Sequence, residues 1–469
     1  MPLILGTNSI KDTGYDVANS VRFNDDDSPK LSRVPSSAGN TKTGTISLWV
    51  KKTEINQNTY LYMVDDGSNQ FALRFNNDKI MAFHFNGSSY DFDLQTSALF
   101  RDVSSWYHIH LKIDTANSTA IERFKLYVNN EYIAFNTTIS QNFNGVFFKN
   151  STTHLGVDTV NTNHFDGYFA EFVVIDGTAL EPTSFGEFDS DSPNIWKPID
   201  VSGLTFGTNG FHLDFENASS LGADVSGNGN NFTVNNLTSI DQSTDTCTNN
   251  FATFNSLSKN DNGTVTFSEG NLQTAHSGSD SRFNSYSTIG VSSGKWYAEV
   301  KYEAKSSNSQ NDLIVGVAYD VEDLNRQGSG IGGSSGSFSY VGDNGTKLHD
   351  GSESSYGSTF TTGDIIGIFL DLDNHKLYFS KNGSVVASGD PTSGSSGTNA
   401  AFSLDTGETY FICAGHGTST SRETTYSINF GSPIGSISSG NQDPNGYGNF
   451  EYSPQGYYAL NTKNLAEFG

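Results

Sequence analysis

Only two cysteines occur in 469 residues. Cys247 and Cys413 are far apart, so neither a disulfide framework nor a cysteine-based zinc site is indicated. Basic residues are also scarce: 26 Lys and Arg stand against 51 Asp and Glu, a net charge of −25. Nucleic-acid binders gain most of their affinity by neutralising phosphates, so nucleic acid is not an expected partner. No run of about 18 apolar residues exists, and membrane insertion is not expected. The start, Met1-Pro-Leu-Ile-Leu-Gly6, lacks the basic and long apolar regions of a signal peptide. Synthesis in a cytoplasm is the expectation, although the composition is that of proteins that end up outside cells. Helical periodicity is nearly missing as well.

What is present is polar, uncharged and aromatic. Charged residues make up 16% and aromatic residues 13%; disordered chains show the reverse, high charge and few aromatics. Apolar residues recur at every second position in short runs closed by Gly, Asn, Asp and Ser, the pattern of antiparallel strands and tight turns. Ile46-Ser-Leu-Trp-Val50, Phe71-Ala-Leu-Arg-Phe75 and Lys79-Ile-Met-Ala-Phe-His-Phe85 are such runs, the last two separated by Asn76-Asn77-Asp78. Trp106–Ile113 alternates, and Phe124–Val128 leads through Asn129-Asn130 into Tyr132. After Phe165–Leu180 the prolines Pro182, Pro193 and Pro198 mark a boundary. The fold class expected is all-β: two antiparallel, jelly-roll-like β-sandwich domains, 1–190 and 247–432. An irregular Asn/Gly-rich connector with one or two strands, 191–246, joins them, and a C-terminal extension, 433–469, follows.

The first block resembles a laminin-G-like, concanavalin-A-like sandwich. Ser20-Val-Arg-Phe23, Gly44-Thr-Ile-Ser-Leu-Trp-Val-Lys51, Trp106-Tyr-His-Ile109 and the closing Phe165-Asp-Gly-Tyr-Phe-Ala-Glu-Phe172 carry that resemblance. It implies a lectin-type fold used for carbohydrate or protein binding. The second block is similar to the SPRY domain, through Gly294-Lys-Trp-Tyr-Ala-Glu-Val-Lys301, Leu313-Ile-Val-Gly-Val-Ala318, Gly363–Asp373, Leu377–Gly383 and Ser427-Ile-Asn-Phe-Gly431. SPRY domains are non-enzymatic modules whose rim loops contact partners. Two further stretches, Phe206–Val234 and Gly456–Leu465, resemble structural proteins of tailed bacteriophages, particularly marine ones. In that family such segments link the sandwich modules of virion fibres and appendages.

Chemistry-bearing residues are sparse. Asp364 and the Asp371/Asp373 pair invite a metal reading, because carboxylates at i and i+2 of a strand share a face; a hairpin turn accounts for them better. Lectin-like sandwiches in some cases hold Ca²⁺ at a rim, which leaves Asp65 and Asp158 as candidate ligands of a structural Ca²⁺; no other cofactor is expected. His108 and His110 alternate on one strand and read as exposed cross-strand residues. No G-x-S-x-G elbow appears in a strand-to-helix context, and no H-E-x-x-H pattern occurs. Trp49, Trp106 and Trp296 read as core, and Trp196 as a pin between domains. Aromatic and Arg side chains dominate binding hot spots, so Tyr319, Arg326 and Tyr340 are the candidate contact residues of the second block's rim loops.

The expectation is therefore a non-catalytic structural or adhesion protein on the exterior of a bacteriophage virion, as a tail-fibre-like appendage or a head decoration. Its expected partners are other virion proteins, a host-surface glycan or protein, and copies of itself, a trimer being favoured. The competing readings are a glycan-cleaving depolymerase, which needs two facing carboxylates, and a secreted cellular lectin.

Overall fold

A computed structural model describes residues 9–257, 264–277, 283–305, 313–321, 330–416, 423–437 and 439–469. Strand makes up 42% of the chain and helix 6%, which places it in the all-β class. Two compact units are present: Thr13–Asn249, and Asn250–Gly469 together with the residues up to Asp12.

In the first unit, a seven-stranded and an eight-stranded sheet enclose one core. Strands Thr43–Lys52 and Gly167–Asp176 run antiparallel at the middle of the larger sheet, with Val50 opposite Phe169. Alternation sends Ile46, Leu48 and Val50 inward to meet Leu61, Val64 and Phe71 of the smaller sheet. The opposite face of this sheet is buried too. Trp49, Trp106, Tyr168 and Ala170 pack against Val17 and Trp196, while Val173 and Ile175 pack against Phe185, Val201 and Phe206. Trp196 thus serves within its own unit, not as a pin between domains. His108 and His110, expected on the surface, are fully buried beneath the same cover. The His108 ring stacks on Trp49, accepts a hydrogen bond from Trp196 Nε1 at 2.9 Å and donates from Nε2 to Ser47. Burial lowers the pKa of both imidazoles, that of His110 to about 4.

The segment read as a connector supplies edge strands to both sheets. Phe211–Leu213 pairs with Gly167–Asp176, Thr233–Asn235 with Lys30–Arg33, and Gln242–Ser243 with Ser20–Phe23. A β-bulge between Ala170 and Val173 sets Glu171 in the left-handed region, φ +46°. The extra residue re-aims its side chain, and its carboxylate meets His212 Nε2 at 2.9 Å. This buried pair ties the late strand to the sheet.

The second unit repeats the plan with nine-stranded and six-stranded sheets. Trp296, Ala298, Val300 and Tyr302 of strand Lys295–Lys305 enter the core with Ile366, Ile368 and Leu370. Its other face, Tyr297, Phe369 and Tyr378, is covered by Phe251, Phe450, Tyr457 and Ala459. Tyr458–Ala459 adds a short parallel strand to Lys295–Lys305. The helix Thr462–Phe468 follows, capped by Asn461 accepting from Asn464 N.

Turn chemistry fixes the hairpins. Asn77 and Asp78 take φ +47° and +65°, and Asn129 and Asn130 take +49° and +65°. Two consecutive positive φ values match strand twist, and Asn or Asp tolerates them better than branched residues do. Asp78 has a second role: its fully buried carboxylate accepts from Lys52 Nζ at 3.0 Å, Arg101 Nε at 2.9 Å and Asn56 N at 2.7 Å. Burial works against that anion, but the three donors hold its pKa below the usual carboxylate value.

Two outcomes follow for stability. Asp78→Ala strands the buried Lys52 ammonium and should cost about 3–5 kcal/mol in urea unfolding of the first unit; a loss under 1 kcal/mol, within the roughly 0.5–3 kcal/mol of ordinary substitutions, would be inconsistent with that role. For His212, burial opposes the imidazolium but Glu171 outweighs it, so the pKa is raised. That stabilisation is complete below the unfolded imidazole value and lost as pH rises through the folded one. Melting curves across roughly pH 5 to 8 should therefore fall more steeply with rising pH in the native chain than in His212→Asn.

Candidate binding site

The second unit's rim is where strand Leu313–Ala318 ends. Tyr319, the next residue, is partly exposed; its ring stands edge-on to Tyr410 at 5.4 Å, and its hydroxyl donates to Asp405 Oδ2 at 3.2 Å. Partial burial first, then Asp405, Glu408 and Asp320, raise its pKa. The phenol is thus held among three carboxylates, with its hydroxyl donated to Asp405. Arg326 lies outside the described residues. Tyr340 is a correction: it sits in strand Ser337–Val341, fully buried against Tyr356, Phe360 and Phe379, with its hydroxyl donating to Ser358 O. The alternating Ser337-Phe-Ser-Tyr-Val341 points both aromatics inward, so Tyr340 supports the rim from within and does not touch a partner.

A cavity of about 430 Å³ lies on the outer side of strands Lys295–Lys305 and Thr424–Asn429, under residues 433–437. Its walls combine Ile365, Ile434 and Ile437 with Lys301, Glu303 and Glu299. Glu299 is held in place: its carboxylate accepts from Glu451 N at 2.9 Å, Tyr452 N at 2.8 Å and Tyr297 Oη at 3.0 Å. Burial nevertheless raises its pKa. Lys301 Nζ pairs with Glu303 at 2.9 Å, which in turn accepts from Ser427 Oγ.

The acidic candidates fall into structural roles. Asp371 accepts from Asn374 N and Lys295 Nζ, Asp373 from Gly294 N, and Asp364 from Thr361 N and Lys381 Nζ. Asp65 Oδ1 takes Gly67 N at 2.7 Å, and Asp158 takes Thr162 N at 2.9 Å and the Thr162 hydroxyl. Asp65 and Asp158 both act on the ring of His154, where they oppose the lowering of its pKa by burial. Among the described residues, however, no three His, Cys, Asp or Glu side chains are placed to hold a metal. Both thiols are free, and burial raises the pKa of each.

One surface was not singled out in the sequence. On the outer face of the seven-stranded sheet, the Arg74 guanidinium lies 5.2 Å above the Tyr60 ring and 5.4 Å above Phe83, and half-exposed Tyr90 stands edge-on to Phe83. The signal was the unbroken apolar run Ile80-Met-Ala-Phe83, which marks a strand apolar on both faces.

Residues 24–184 match the concanavalin A-like lectin/glucanases superfamily model, and residues 295–415 match the SPRY domain model. Curated relatives include Ran-binding protein 9 of Danio rerio, 33% identical over 96 residues, or 20% of this chain and 15% of that protein. Human Ran-binding protein 9 is 33% identical over 20% of this chain and 12% of its own length. The ATP-dependent RNA helicase DDX1 of Xenopus laevis is 34% identical over 97 residues, 21% of this chain and 12% of the helicase. The chain thus spans under one sixth of the length of these relatives. Among solved structures, the SPRY domain of human HERC1 is 20% identical, with a TM-score of 0.29, over 37% of this chain and 96% of that one.

The two tyrosines separate by experiment. Tyr340→Ala should destabilise the second unit by about 3–5 kcal/mol, as truncation of a buried aromatic does. Tyr319→Ala should change stability by less than about 1 kcal/mol and act on partner binding alone. Equal destabilisation by the two would contradict the placement.

Proposed function

We propose that the protein is a non-catalytic binding and adhesion protein on the exterior of a tailed-bacteriophage particle. The two domain matches, a lectin-like sandwich and a SPRY domain, favour recognition over chemistry. The virion setting rests on the likeness of Phe206–Val234 and Gly456–Leu465 to phage structural proteins. A relative is named for binding the protein Ran, which favours a protein partner for the SPRY domain here too. Neighbouring virion proteins and host-surface molecules are the proposed partners, and self-association as a trimer is the proposed assembly.

One observation carries the non-catalytic reading. Three of the carboxylates lining the cavities are already spent on structure: Glu299 on two backbone amides and a phenol, Glu303 on Lys301 and Ser427, Asp66 on Ser68 N, Asn69 N and Lys149. A glycosidase needs one carboxyl free to give a proton and another about 5–10 Å away free to attack or activate water. Groups saturated by hydrogen bonds do neither well. A charge of −25 further suits a particle surface that stays soluble.

Two measurements test this reading. Antibody-gold labelling of intact particles should mark the exterior; labelling of none sinks the virion setting. Purified protein incubated with host polysaccharide should release no reducing ends, and release abolished by a single carboxylate substitution would replace adhesion by depolymerisation.

A further inference from the structure

We propose that Lys51 and Asp245 of the first unit condense to an intramolecular isopeptide bond, a covalent clamp between a central strand and the segment that closes the unit. Lys51 Nζ lies 2.8 Å from Asp245 Oδ2, and the two side chains are 0% and 3% exposed. In sequence they stand 194 residues apart.

The surroundings are dry and aromatic. Lys51 projects from the covered outer face of the larger sheet, in register with Trp106 on one neighbouring strand and Tyr168 on the other. Its Nζ is 5.8 Å from the centre of the Tyr168 ring, and Trp49, Val17 and Cys247 belong to the same packed cluster. Two charges in such a place carry a heavy desolvation cost; an amide in their stead carries far less. Both ends are also fixed. Lys51 lies in Thr43–Lys52, which is paired on both sides. The backbone of Asp245 is tied on both of its polar groups: its oxygen accepts from Ser20 Oγ at 2.6 Å, and its N–H donates to Ser243 Oγ at 3.1 Å. Reacting groups held in this way reach effective molarities of about 10⁵–10⁸ M.

The bond forms without an outside reagent. A proton passes from the ammonium to Oδ2 along the existing hydrogen bond, leaving a neutral amine beside a carboxylic acid. The amine lone pair attacks Cγ, and the N–C bond forms as the C=O electrons move to Oδ1. Trp106 Nε1 donates to Oδ1 at 3.1 Å, where it meets the developing oxyanion. Collapse restores the C=O, breaks Cγ–Oδ2 and releases that oxygen as water with a second proton from nitrogen. The three ammonium protons end as one amide N–H and two on water, and nothing is oxidised or reduced.

Other Lys–carboxylate contacts of the unit lack one of these conditions. Asp78, beside Lys52, is shared with the Arg101 guanidinium, which holds it as an anion and makes it a poor acyl acceptor. The contacts Lys112–Glu181 and Lys149–Asp66 each have an exposed member, open to water. The clamp would hold the segment that pairs Gln242–Ser243 with Ser20–Phe23 onto the middle of the sheet, so that this end of the unit could not peel away. This chemistry is independent of what the protein binds.

The test is the intact mass of the full chain, purified and denatured, with a tryptic map. The chain should weigh one water less than its sequence. Trypsin should not cut after Lys51, and tandem spectra should show the peptide carrying Lys51 joined to the one carrying Asp245. Lys51→Met and Asp245→Ala should each return to the full sequence mass, and after boiling in SDS the native chain should run ahead of both. A full sequence mass with free Lys51, in a chain shown to be folded by its near-UV circular dichroism, would overturn the clamp. So would a lost water that maps to a succinimide at Asp66-Gly67 or Asp176-Gly177. The deciding measurement is made on the native chain and stands whether or not the variants fold.

Discussion

Both units depend on one constraint: the central strands of each larger sheet are buried on both faces. Thr43–Lys52 and Gly167–Asp176 are buried over nearly their whole length, as is the first half of Lys295–Lys305. A sandwich buries only the inner face of a sheet. The outer faces, with Trp49, Tyr168 and Val173 in one unit and Tyr297, Phe369 and Tyr378 in the other, require a second cover. Each large aromatic left in water would forgo on the order of 2–3 kcal/mol. The chain meets this with stretches outside the two matched domains: Phe185, Trp196, Val201 and Phe206 in the first unit, Phe251, Phe450 and Tyr457 in the second.

Covering an outer face has an electrostatic consequence. Polar residues that would otherwise point to water become buried and need partners. Lys51 pairs with Asp245 at 2.8 Å, and Trp106 Nε1 donates to the same carboxylate; His108 is held neutral between Ser47 and Trp196. Such networks contribute to uniqueness more than to net stability, since desolvation offsets much of the attraction. They also consume carboxylates and imidazoles that chemistry would need.

How far the sequence reveals this depends on the range of each signal. Hairpin turns were legible because their cause is local: Asn76-Asn77-Asp78 and Asn129-Asn130 name the residues that take positive φ. The long strands were legible from period-two alternation. That alternation says which residues share a face, but not whether the face is wet, so His108 and His110 were placed on the right strand and in the wrong environment. The strands Phe211–Leu213, Thr233–Asn235 and Gln242–Ser243 are two or three residues long, too short to show a period. Tyr340 was misplaced for a different reason: its strand alternates plainly, but the surrounding Gly and Ser outweighed the pattern. The polar cavity beside His154 could not be read at all, because it joins a turn at Asp65, a loop at Lys149 and a strand at His154.

The functional account follows from what the covers leave open. The covers leave open the surface at Tyr319, the apolar-acidic cavity beside Glu299 and the polar cavity beside His154. Hydrogen exchange on the full chain tests most directly the claim that the stretches outside the matched domains are structural covers. The account predicts that amides of 185–213 and 449–465 that are hydrogen-bonded within their own unit exchange as slowly as those of Thr43–Lys52 and Lys295–Lys305. Exchange of those stretches at loop rates, with the central strands still protected, would contradict it.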